Sequence, residues 1–187
     1  MQRGKRFLVL FGALMCGVGI ARSQTDPLGS LVETSAQRLQ IAEKVALAKW
    51  DSEAVVEDAP REAQVIQRAV KDGEAKGLDS AQMENFFRAQ IEANKIVQYS
   101  LLADWQRAGK APAHAPVDLV KEIRPQLDEV QKQLIVELAG TATRRASKTC
   151  HADVAKTVGE YLRAHSLDED SRTGVALDRA MAAACAK

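Results

Sequence analysis

Aromatic side chains are scarce in this chain, with two Trp, two Tyr and four Phe among 187 residues. Charge of either sign is balanced, at 26 Lys and Arg against 25 Asp and Glu. Without stacking side chains or a cationic excess, the chain lacks what nucleic-acid binding needs, and that class of partner is excluded. Histidine is limited to His114, His151 and His165, at no ligand spacing from one another or from the cysteines, which argues against a metal site. Nucleotide-binding motifs are missing as well. The five prolines stand near expected helix starts or in the Gly109–Pro116 stretch, and no segment alternates as a strand should. What is left is an all-α chain.

Its first segment reads as a leader and not as part of the fold. Arg3, Lys5 and Arg6 precede an apolar run, Phe7–Ile20, and Ala21-Arg22-Ser23 places small residues where a signal peptidase cuts, before Gln24. The run is too short and too broken by glycine to hold the protein in a membrane. Export follows, to the periplasm or beyond, with residues 1–23 as the signal peptide and 24–187 as one domain with a real core. Removing the leader takes four cations and no acid from a formal net charge of +1, leaving −3. Cys150 and Cys185 survive cleavage, and an even count in an oxidising compartment reads as one structural disulfide.

About six helices are expected, packed as a single bundle. The first covers 28–50, with Leu28, Leu31, Val32, Leu39, Ala42, Val45, Ala46 and Trp50 as its apolar stripe. Asp58 and Pro60 open a second, to about residue 75; Asp79-Ser-Ala-Gln82 opens a third, to about Arg107. A fourth starts near Val117 and carries Ile123, Leu127, Val130, Leu134 and Leu138. Val154, Val158, Tyr161 and Leu162 mark a fifth, and Ser166-Leu-Asp-Glu169 resembles a capping box for a last helix that ends at Cys185. Arg144, Arg145 and Lys148 read as a solvated basic face.

Polar residues interrupt these apolar faces. Arg38 and Lys49 are 11 apart, close to three whole turns, so they share a side about 16 Å apart with small residues between them. Asp58, Arg61 and Glu62 line one side of the second helix; Asn94 and Gln98 are one turn apart on the third; Arg124 opens the fourth. Each alone reads as a cap, a surface pair or a satisfied amide. Together they place four cations, carboxylates and two amides on facing helices, which suits a receptor for a small anion.

The ordered set Arg38, Lys49-Trp50, Asp58-x-x-Arg61-Glu62, Asn94-x-x-x-Gln98-Tyr99-Ser100, Asp104-Trp105 and Arg124, with the late Cys150/Cys185 pair, resembles the exported all-helical chorismate mutases, the gamma type of that family. The resemblance runs from about Leu31 to Cys185 and implies a type II-like bundle, often a homodimer. It also implies cofactor-free conversion of chorismate to prephenate, the branch leading to phenylalanine and tyrosine. By that resemblance Arg38 and Arg124 grip the substrate carboxylates, Lys49 and Gln98 donate to the ether oxygen, and Glu62 accepts from the ring hydroxyl. Asp58 and Arg61 touch ligand or hold the others, and Asn94 adds a polar contact. Arg107 is the alternative to Arg124 if the Gly109–Pro116 loop is aligned differently. A non-catalytic helical protein binding a small dianion in the same cleft, and an inactive relative acting through its surface, are the other readings.

Overall fold

The computed structural model describes residues 27–186, so the expected leader and its cleavage point lie outside the described residues. Seven α-helices and one π-helical turn account for the described elements, and no strand occurs among them. They are α1 (Pro27–Asp51), α2 (Ala59–Glu74), α3 (Ser80–Ala108), the π turn (Leu119–Ile123), α4 (Arg124–Gly140), α5 (Ala142–Arg145), α6 (Cys150–Ala164) and α7 (Arg172–Met181).

α1 is the central post. It packs against α3, α4, α6 and α7, and its stripe from Leu28 through Leu31, Val32 and Leu39 to Ala46 is buried accordingly. α3 lies along α1, α2 and α7, contributing Phe86, Phe87 and Ala93 to the same core. α2 bridges α3 and α4. Trp50 and Trp105, at the far ends of α1 and α3, meet edge to face with centroids 5.9 Å apart. The burial of these side chains, at roughly 1.5–3 kcal/mol each, is the main force holding the helices.

The expected starts of α2 and α3 are occupied by working caps. Asp58 accepts from the Arg61 N–H at 3.2 Å and Asp79 accepts from the Gln82 N–H at 2.8 Å, each satisfying a donor that has no partner inside its helix. Gly109, at φ 71°, closes α3 in the left-handed conformation that glycine adopts without strain. The fourth helix does not begin at Val117. Asp118 takes the N–H groups of Val120 and Lys121 and starts a π turn, which passes into α4 at Arg124.

The C-terminal region departs further from expectation. Ser166-Leu-Asp-Glu169 is the exit from α6, not the entry to the last helix. Ser166 has φ 54°, its N–H returns to Arg163 O, and the Leu167 N–H returns to Leu162 O at 2.9 Å. The cap of α7 is instead Ser171, which accepts from the Gly174 N–H at 3.1 Å. α7 then ends at Met181, because Cys185 is drawn aside into a disulfide with Cys150. Arg145 is also not solvated: it is buried, donating to Ala184 O at 3.1 Å and to Gln82 Oε1 at 3.1 Å. Its own carbonyl accepts from the Ala186 N–H at 2.8 Å, so this residue clasps the C-terminal segment from both ends.

Candidate active site

The two halves of the bundle divide the work. α6 and α7 complete the core, while α1, α2, α3 and α4 enclose a cleft of about 700 Å³ of empty space, its open mouth included. That size suits a small organic ligand. Arg38, Lys49, Asp58, Arg61, Glu62, Asn94, Gln98 and Arg124 all line it. Arg107 does not; it is a surface residue paired with Asp104.

Arg38 lies at the buried end. It is 4% exposed, and its Nε and Nη1 have no hydrogen-bond partner. Burial lowers this guanidinium to about pKa 10; Asp128 pulls it back up and Arg61 pushes it down further. It stays charged at neutral pH. A buried cation with unpartnered N–H groups is costly until an acceptor meets it, and a carboxylate is the acceptor that best suits a guanidinium.

Lys49, three turns along α1, donates its ammonium to the carbonyl of Val56 in the α1–α2 connection. Burial lowers its pKa, while Asp58, Glu57 and Glu62 act in the opposite direction. An ammonium has three donors, so one bond to Val56 leaves two. On α3, Asn94 donates to the Arg38 carbonyl at 3.2 Å and accepts from Gln98 Nε2 at 2.6 Å. Gln98 is buried, and its Oε1 has no partner. The second N–H of that amide remains available to a ligand.

α2 and α4 form the outer wall. Glu62 accepts weakly from the Asp58 N–H at 3.4 Å and meets Lys95 Nζ at 3.5 Å. Arg124 faces Asp58 at 3.7 Å, and Arg61 pairs with Asp128 at 3.1 Å. The space between these charges is walled by Val45, Val56, Val65, Ile91, Leu119 and Leu127. Fixed donors thus point across a largely apolar enclosure, where electrostatic interactions are stronger than in water.

The comparisons with known proteins agree with one another. The chorismate mutase type II family matches residues 29–99. A secreted chorismate mutase of Mycolicibacterium smegmatis is 32% identical over 160 residues, covering 83% of this chain and 87% of that protein.

The chain belongs to the chorismate mutase family.

Two solved chorismate mutases share its architecture. That of Burkholderia phymatum superposes with a TM-score of 0.82 at 43% identity, covering 88% of this chain and 99% of that one. That of Burkholderia thailandensis gives 0.79 at 35% identity, covering 85% and 99%.

Three polar residues of this chorismate mutase cleft escaped the reading of the sequence: Lys95, Asp128 and Gln131. A signal existed for two of them. Asp128 and Gln131 lie four and seven residues after Arg124, hence on its face of α4, and Gln131 interrupts the stripe between Leu127 and Leu134. Lys95 follows Asn94 on α3 and carries no such mark. It pairs with Glu92 as well as Glu62.

Proposed function

We propose that this chain converts chorismate to prephenate in the cleft between α1, α2, α3 and α4, and that the eight residues named from the sequence bind the substrate there or hold the residues that do. The observation that carries the reading is the buried Arg38 guanidinium, whose Nε and Nη1 lack partners, on a cleft that Lys49 and Gln98 also line.

The reaction is a rearrangement within one molecule. The ether carbon–oxygen bond breaks while a carbon–carbon bond forms between the enolpyruvyl arm and the ring. No proton moves and no covalent bond to the protein is made, so the chain must supply position and charge. Arg38 binds one carboxylate and Arg124 the other, which folds the flexible arm over the ring into a reactive pose. Lys49 and Gln98 donate to the ether oxygen as negative charge grows on it, an interaction stronger in the transition state than in the ground state. Glu62 accepts from the ring hydroxyl; its two contacts, at 3.4 and 3.5 Å, leave it acceptor capacity. Asp58 holds Arg124, Asp128 holds Arg61, and Asn94 holds Gln98 while offering an amide to a carboxylate.

The test is direct. Purified chain incubated with chorismate should abolish the ultraviolet absorbance of the ring diene and yield prephenate. Tight binding of chorismate without turnover would overturn the catalytic reading and leave a dianion-binding protein.

Export belongs to the same proposal. The basic, apolar and small-residue order of 1–23 supports cleavage near Ser23 and a mature chain of 24–187, in keeping with relatives named as secreted. N-terminal sequencing of protein recovered outside the cytoplasm tests it. A homodimer rests on the family resemblance alone, and sedimentation giving the monomer mass would remove it.

A further inference from the structure

α4 brings four side chains to the cleft: Arg124, Leu127, Asp128 and Gln131. Arg124 has its carboxylate to grip, Leu127 is wall, and Asp128 balances Arg61 and Arg68 at 3.1 Å each. Gln131 has no such task. It is 2% exposed, it lines the cleft, and its carboxamide makes no hydrogen bond to any described residue. An amide that opens on the cleft and is bonded to no other described residue has its N–H groups free for a ligand.

Helix register says which group. Thr34 Oγ1 donates to Glu137 Oε1 at 2.8 Å, tying the start of α1 to the end of α4. From that tie, Arg38 is four residues toward the cleft on α1 and Gln131 six residues toward it on α4. Those steps are about 6 and 9 Å of axial rise, so the two side chains reach nearly the same level from facing helices. At that level stand the unpartnered Nε and Nη1 of Arg38.

We infer that Gln131 is a further substrate-binding residue, its amide N–H donating to the same carboxylate that occupies the Arg38 guanidinium. The inference rests on the chorismate mutase reading and deepens it. A carboxylate offers about four lone-pair sites, and a bidentate arginine uses two. A neutral donor fills a third without adding another cation beside Arg38 and Arg61. The contact exists in ground and transition states alike, so it acts on binding and not on the chemical step.

Steady-state kinetics on Gln131→Leu and Gln131→Glu decide it, with melting temperatures taken alongside. Gln131→Leu should raise KM roughly tenfold, the size of one hydrogen bond to a charged group, with kcat within about threefold. Gln131→Glu places an anion against the substrate carboxylate. Its KM should be far higher at neutral pH and should recover as the pH falls and the new carboxyl is protonated. A Leu variant with KM within twofold of the parent overturns the inference, as does a Glu variant whose pH profile parallels the parent's. Should the Leu variant fail to fold, the Glu profile still decides. A parent that binds chorismate by calorimetry without converting it sinks the activity but not this contact, which the same titration of the Leu variant then measures. A parent that neither binds nor converts chorismate overturns both.

Discussion

Lys49 Nζ donates to the carbonyl of Val56, seven residues further along the chain, so the connection between α1 and α2 holds the ammonium in place before any ligand arrives. Such preorganisation is what a transition-state donor needs, because no reorganisation is then required as charge develops. Lys49→Ala removes the donor and leaves the carbonyl of the buried Val56 without it. The expected loss is about 100- to 1,000-fold in kcat, or roughly 3–4 kcal/mol. Arg38→Ala and Arg124→Ala should raise KM as well. If all three variants kept near-normal turnover of chorismate, the cleft would not be the site of reaction.

The same burial sets an alkaline limit. Lys49 titrates below the ordinary lysine value of 10.5, and Arg38 is brought down to about 10. Both act as cations, so kcat/KM should be flat through neutrality and fall as the pH rises toward 10, with a composite limb that belongs to the pair. Binding the substrate dianion favours the charged forms, which moves the limb in kcat to higher pH than the limb in kcat/KM. Rate profiles between pH 6 and 10.5, roughly the span over which these groups ionise, check both statements. A limb at lower pH in kcat than in kcat/KM would contradict the assignment.

The Cys150–Cys185 bridge closes a span of 35 residues. Loop-closure entropy gives it about 3–4 kcal/mol. Replacing both cysteines by serine should lower the urea midpoint accordingly while leaving kcat/KM at 25 °C unchanged, since α6 and the C-terminal segment supply nothing to the cleft. Arg145 still clasps Ala184 and Ala186 in that variant, so the segment should stay docked. A changed KM would show that the C-terminal half reaches the site.

What could be read from the sequence was local. Asp58 and Asp79 announce α2 and α3 because a cap needs only its own next turn. Arg38, Lys49, Asn94 and Gln98 stand out because each breaks an apolar stripe whose period is visible. The failures are of another kind. Ser166-Leu-Asp-Glu169 has the composition of a capping box, but the chain there is turning out of α6, and only the packing of α7 decides which helix the segment serves. Arg145 looked solvated because its acceptors, Ala184 O and Gln82 Oε1, are 39 and 63 residues away. Asp128 and Gln131 share a face with Arg124 at i+4 and i+7, but only the packing of α4 against α1 and α2 turns that face to the cleft.

The true start of α7 can be tested at Gly174. A Cβ there would lie 2.3 Å from the carbonyl oxygen of Glu169 and 2.7 Å from that of Asp168, both main-chain atoms that cannot swing away. Gly174→Ala must therefore displace the 168–171 turn, at about 1–3 kcal/mol. For a domain of this size that is a melting-temperature loss of several degrees, roughly 2–4 °C per kcal/mol. An unchanged melting temperature would mean that the turn does not pack on α7 as described.

Gln98 offers the sharpest test of the reaction. Its amide donates one N–H to Asn94 Oδ1 at 2.6 Å and keeps the other for a ligand in the cleft that Gln98 lines. A primary amide has no proton to lose near neutrality, so this donor works at any ordinary pH. Gln98→Glu keeps the shape and changes the chemistry. Only the neutral acid can donate to the ether oxygen, and the anion would oppose the charge developing there. Ionised, it would also face Asn94 Oδ1 until that amide turned over. The variant should therefore be most active at low pH and lose kcat/KM as its carboxyl ionises, while the parent stays level over the same range. Lys49 across the cleft favours the anion and burial favours the acid, so the midpoint reports which dominates. A steep acid-side dependence in the parent, or a level profile in the Glu variant, would place some other residue at the breaking bond.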